Sequence, residues 1–125
     1  MSVQLATDRV SVLVVDDSDD QRLLLQHHFE RNGCDVLLAA SAEEALVVLR
    51  DSRPELAIID LRLPGMDGWE LSRYMRDEHP DCPVAITSVL QEAMYPEAHA
   101  SLPKPFSAAH IRRVLGECVP RWATA

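Results

Sequence analysis

The stretch "VSVLVVDDSDDQRLLLQHHFERNG", residues 10–33, holds in miniature the pattern that decides the fold. It begins with a short β-branched apolar run, which suits a strand covered on both faces. Asp16 and Asp17 close that run. Ser18 and Gln21 then form a capping-box pattern with acids in the first helical turn, and Arg31, Asn32 and Gly33 supply a C-terminal stop. The stretch therefore reads as a strand, an acidic turn and a capped helix.

The rest of the chain repeats the unit. "DVLLAA" (35–40), "LAIID" (56–60) and "PVAITS" (83–88) resemble the first strand. "SAEEALVVLRDSRP" (41–54) is capped by Ser41 with Glu44 three residues on, and "DGWELSRYMRDEHP" (67–80) opens on Asp67. In "SAAHIRRVLGECV" (107–119), Ile111, Val114, Leu115 and Cys118 are spaced to face a core. Such alternation predicts right-handed βαβ units and an α/β fold with a doubly wound parallel sheet. Between Thr87 and Lys104 only "SVLQEAMYPEAHASLP" is available for a fourth helix and a fifth strand. Pro96 limits that helix to about two turns, so a short or irregular one is expected.

With 125 residues the chain makes one domain, expected over 9–119 with short tails at 1–8 and 120–125. A net charge of −8 argues against direct nucleic-acid binding. No apolar run is long enough to cross a bilayer, and "MSVQLATDR" lacks a signal-peptide pattern. Cys34, Cys82 and Cys118 are odd in number and scattered, which fits reduced thiols in a cytoplasmic protein.

In an open α/β sheet, ligands bind beyond the carboxyl ends of the strands. Those ends carry Asp16 and Asp17, Asp60, Thr87 and Lys104, the last being the only lysine in a chain that otherwise uses arginine. Three carboxylates in one cleft repel one another, and a hard divalent cation such as Mg²⁺ relieves the repulsion. The backbone carbonyl of Arg62 is a further oxygen within reach of such an ion. A hydroxyl (Thr87) and a compact ammonium on a flexible stem (Lys104) suit the remaining oxygens of a phosphoryl group. Asp60 would then be the nucleophile.

These carriers, "VLVVDDS" (12–18), "LAIIDLRLPGMDGWEL" (56–71), "AITS" (85–88) and "LPKPF" (102–106), resemble the CheY-like receiver domain of two-component response regulators. The resemblance implies a flavodoxin-like, five-stranded parallel sheet of order 2-1-3-4-5. It implies Asp60 as phosphoacceptor, Asp17 as direct Mg²⁺ ligand, Asp16 acting through metal-bound water, and Arg62 as carbonyl ligand. Thr87 matches the switch hydroxyl and Lys104 the lysine that pairs with the phosphoryl group, with a cis bond to Pro105. The implied donor is a sensor histidine kinase or a histidine phosphotransfer protein, and the implied output is a protein–protein contact. The domain would catalyse only its own phosphorylation and dephosphorylation, with a homodimer as a further state.

Two departures from the family mark the switch region of Thr87, Ser88 and Ser101. Ser101 stands where relatives carry Tyr or Phe, and the segment up to Lys104 is short, so phosphorylation is expected to reshape residues 88–100. On the first helix, Arg22, Leu25 and Gln26 fall on the family's usual kinase-docking side, and His27 and His28 read as surface or boundary residues. Trp69, Tyr74 and Met75 read as packing and partner-facing surface. Nothing but "PRWATA" follows the last helix, and with Met1 at the start this favours a stand-alone receiver over a fragment. The competing readings are a pseudo-receiver acting as a constitutive interaction domain and a small-molecule phosphatase. The phosphatase would want an acid at position 62, where this chain has arginine.

Overall fold

The computed structural model describes residues 9–88 and 100–124. The tail at 1–8 and, between Ser88 and Ala100, the expected short helix lie outside the described residues. The strands are β1 (Ser11–Val15), β2 (Asp35–Ala39), β3 (Leu56–Asp60), β4 (Val84–Ser88) and β5 (Ala100–Pro103). The helices are α1 (Asp19–Arg31), α2 (Ala42–Asp51), α3 (Gly68–Glu78), α4 (Ala108–Cys118) and the short α5 (Pro120–Thr124). All strand pairs are parallel, in the order β2-β1-β3-β4-β5. Among the described residues no helix is long and apolar enough to cross a membrane.

Both faces of the sheet are covered, which explains the near-continuous apolar strands. Val12 and Val14 of β1 and Leu56 and Ile58 of β3 point to one face, where they meet Leu25 and Phe29 of α1 and Ile111, Val114 and Leu115 of α4. Leu13, Val15, Ala57 and Ile59 point to the other face, against Ala42, Ala45 and Leu49 of α2 and Leu71 and Met75 of α3. Successive strand residues alternate between the two cores, and each large apolar side chain buried there contributes about 1.5–3 kcal/mol. β5 forms one edge, where Pro103 costs the sheet little. The next residue takes up the pairing, as the Lys104 N–H donates to Ser88 O at 3.1 Å.

The caps follow the sequence in part. Ser18, Ser41 and Asp67 each accept a backbone N–H three residues on. The box expected at Ser18 is only half made, because Gln21 Oε1 is buried without a partner among the described residues. A full capping box forms instead at α4, where His110 Nδ1 accepts the Ser107 N–H at 3.0 Å. Residues 120–124, read as tail, form α5. Trp122 Nε1 donates to Asn32 O at 2.8 Å, and Arg121 pairs with Glu55 at 2.7 Å. The three cysteines are free, and burial pushes their thiols up to about 11 for Cys34, 12 for Cys82 and 11 for Cys118.

The start of α3 is packed directly against the end of β3. A Cβ on Gly68 would lie 2.2 Å from Asp60 O and 2.5 Å from Leu61 Cα. Those are backbone atoms, so the end of β3 would have to move. Gly68→Ala is expected to lower stability by roughly 2–3 kcal/mol. Urea unfolding checks this, and a variant as stable as the wild type would contradict the close packing.

Candidate functional site

The sheet register brings the sequence candidates together. Asp60 and Thr87 are register partners across β3 and β4. Val15 pairs with Ile59 across β1 and β3, so Asp16, one residue on, reaches the level of Asp60. Asp16, Asp17 and Asp60 each offer a carboxylate oxygen within 4.8 Å of the others. Asp16 and Asp60 are buried, while Asp17 is exposed at the mouth.

Lys104 reaches this cluster from the far side of β4. Its Nζ donates to Asp16 Oδ2 at 3.1 Å and to Asp60 Oδ2 at 3.2 Å. The peptide bond from Lys104 to Pro105 is cis, as the resemblance implied. The outer oxygens are tied to the backbone: the Ser18 N–H donates to Asp16 Oδ1 at 2.9 Å and the Arg62 N–H to Asp60 Oδ1 at 3.1 Å. Arg62 itself is exposed in the loop beyond β3.

One ammonium faces three carboxylates, so the balance is negative. Burial raises the Asp60 carboxyl above its usual range, and Asp16 adds to the rise, while the Arg62 N–H and Lys104 oppose it. Burial alone would lower Lys104, but the charges of Asp16 and Asp60 prevail and push it up. Thr87 Oγ1 is fully buried beside Asp60 and finds no hydrogen-bond partner among the described residues. An orphaned buried hydroxyl is costly and in need of an explanation. Three carboxylates with oxygens within 4.8 Å of one another suit Mg²⁺, and a hydroxyl and an ammonium on the flank suit a bound oxyanion, so the residues fit the implied metal.

The other switch candidates lie close by. Ser88 is buried at the end of β4. Ser101 pairs with Ile86 across β4 and β5, and its carbonyl accepts Arg113 Nη2 at 3.1 Å.

The docking residues on α1 need correction. Leu25 is fully buried in the core, and Arg22 turns inward, its Nη1 donating to Asp16 O at 2.8 Å while it also pairs with Asp19. Gln26 is half-buried and donates to Glu30. The exposed apolar residues are instead Leu23 (59%) and Leu24 (43%). On α3, Met75 is buried, while Trp69 and Tyr74 are half-buried against the same core. His28 is half-buried, with its ring set edge-on to Phe106 at 5.8 Å. Arg22 and Glu43, whose carboxylate accepts the Met66 N–H in the loop after Asp60, are contributors that sequence reading missed.

Comparison with known proteins agrees with this fold. A family model described as the response regulator receiver domain matches residues 12–115. The chain belongs to that family. Over 115 residues this receiver is 30% identical to sporulation initiation phosphotransferase F of Bacillus subtilis, covering 87% of the chain and 93% of that protein. It is 36% identical over 81 residues to the alkaline phosphatase synthesis transcriptional regulatory protein PhoP of the same organism, covering 65% of the chain and only 34% of PhoP. Among solved structures, the chemotaxis response regulator CheY4 of Vibrio cholerae superposes with a TM-score of 0.82 at 25% identity, covering 89% of this receiver and 99% of CheY4. The receiver domain of NtrX from Brucella abortus gives 0.79 at 29% identity, covering 87% and 98%.

A pH test follows from the raised Asp60. The folded state binds that proton more readily than the unfolded chain, so ionised Asp60 opposes folding. The penalty is full above the folded pKa and vanishes as pH falls below the unfolded carboxylate range. In EDTA, Asp60→Asn is expected to melt above wild type at neutral pH, with the gap closing toward about pH 4. A constant gap, or a variant less stable at neutral pH, would count against the strain.

Proposed function

We propose that this receiver accepts a phosphoryl group on Asp60 with the help of Mg²⁺, and that the modified site changes which proteins the domain contacts. The observation that carries the reading is the Asp16–Asp17–Asp60 cluster, joined by Lys104 and by a buried Thr87 hydroxyl with no partner among the described residues. A site that keeps all five groups poised in this way favours a working phosphoacceptor over a pseudo-receiver.

Asp16, Asp17, Asp60 and the Arg62 carbonyl would hold the ion. When bound, Mg²⁺ supplies charge neutralisation for the acidic cluster and for the transferring oxygens. The protein's own part is to aim Asp60. An Asp60 Oδ attacks phosphorus, a P–O bond forms and the P–N bond of the donor phosphohistidine breaks, leaving a neutral imidazole once protonated. Lys104 then moves its ammonium from carboxylate to phosphoryl oxygen. Thr87 gains a hydrogen-bond acceptor and draws the end of β4, with Ser88, toward the site, and neighbouring Ser101 completes the switch region.

The donor is a sensor histidine kinase or a histidine phosphotransfer protein in the cytoplasm. Exposed Leu23 and Leu24, on the helix that leaves the site, offer it apolar contact area. The match to nearly the full length of a protein named as a phosphotransferase supports a part in phosphoryl transfer between proteins.

Incubation with acetyl phosphate and Mg²⁺ is expected to add the mass of one phosphoryl group, read by intact-mass spectrometry. Asp60→Asn and EDTA should each abolish the gain. No gain with wild-type protein would favour the constitutive interaction domain, and turnover of small phosphoesters would favour a phosphatase.

A further inference from the structure

The loop from Leu61 to Asp67 carries the Arg62 carbonyl, which the Mg²⁺ reading takes as a ligand and which no side chain of its own can steer. A backbone ligand is only as well placed as the loop that holds it. Three of this loop's hydrogen bonds bear on its placement. The Arg62 N–H donates to Asp60 Oδ1 at 3.1 Å, the Gly68 N–H to Leu61 O at 3.1 Å, and the Met66 N–H to Glu43 Oε2 at 3.0 Å. The first two lie within the loop and its ends. The third reaches across 23 positions of sequence to the first turn of α2, and of the three it alone ties the loop to an element other than β3 and α3, which flank it.

The two partners are closely fitted. Gly65 has φ +69°, a left-handed conformation that glycine adopts freely, and a Cβ there would lie 2.8 Å from Glu43 Oε2. The missing side chain leaves room for the carboxylate to reach the Met66 N–H. Glu43 is well anchored for this task, because Ala42 and Ala45 on the same turn are fully buried and Ser41 caps the helix. The Met66 hydrogen bond holds its carboxyl below the usual range, so it is ionised at neutral pH. Its charge also sits favourably at the amino end of α2.

We propose that Glu43 is a positioning residue for the metal site: by holding the Met66 N–H, it fixes the loop that carries the Arg62 carbonyl. This rests on the Mg²⁺ reading of the site and adds to it a part played by α2, an element that contributes no ligand. Partners that orient metal ligands from outside commonly matter 10- to 100-fold for affinity, roughly.

The test is calorimetric titration of the full chain with Mg²⁺, with melting in EDTA recorded for each variant. Glu43→Ala is expected to weaken Mg²⁺ binding on the order of 10-fold. Glu43→Gln, which keeps a carbonyl oxygen at the same reach, should stay close to wild type. Phosphorylation of Glu43→Ala by acetyl phosphate should recover at saturating Mg²⁺, so that the defect lies in the half-saturating Mg²⁺ concentration and not in the limiting rate. Glu44→Ala is the control for general loosening of the turn. Glu44 accepts the Ala40 N–H at 2.8 Å, a bond outside the loop, so its removal should leave Mg²⁺ affinity unchanged. Wild-type affinity in Glu43→Ala, an equal loss in Glu44→Ala, or failure of Gln to rescue would each overturn the proposal. A wild-type protein that binds no Mg²⁺ would overturn the reading of the site together with it.

Discussion

The site is organised by like-charge repulsion. Three carboxylates meet within 4.8 Å, two of them buried, and a single ammonium offsets them. No apolar packing argument calls for such a cluster, and burial, with a smaller push from Asp16, raises the Asp60 carboxyl. The surrounding structure holds it in place. Backbone N–H groups of Ser18 and Arg62 grip the outer oxygens, Arg22 grips the Asp16 carbonyl, and Gly68 lets α3 start directly against the end of β3. Strain of this kind persists where the scaffold over-determines it, and it is most readily relieved by a cation.

The scaffold's contribution is register. Two cores clamp the sheet from both faces, and a slip of one residue in any central strand would exchange the two sets of side chains. Because the register is thus held, Asp60 stands beside Thr87, and Lys104 follows a strand whose last residue pairs with Ser88. Five functional groups from four distant segments converge because of where their strands end.

Much of this was legible beforehand. Short β-branched runs alternating with capped helices specify a parallel sheet, and reading the residue at each strand end finds the cluster. What escaped was contact between distant segments. Nothing in the spacing of Glu43 and Met66 announces a hydrogen bond across 23 positions, and Arg22 gives no local sign that it will fold back onto Asp16. Leu25 is a different case. The resemblance placed it on a docking face, although Phe29 four residues on already marked a buried helical stripe. The box at Ser107 was missed because His110 is not the usual Glu or Gln, yet a neutral imidazole nitrogen accepts an N–H equally well.

The central claim is that Asp60, Lys104 and Thr87 form a cradle for a tetrahedral phosphoryl group that needs a divalent cation to fill. Fluorine NMR of the protein with beryllofluoride, a mimic of that group, tests it directly. The account predicts protein-bound fluorine resonances that require Mg²⁺ and vanish in Asp60→Asn. Spectra holding only free fluoride species at saturating Mg²⁺ would contradict it.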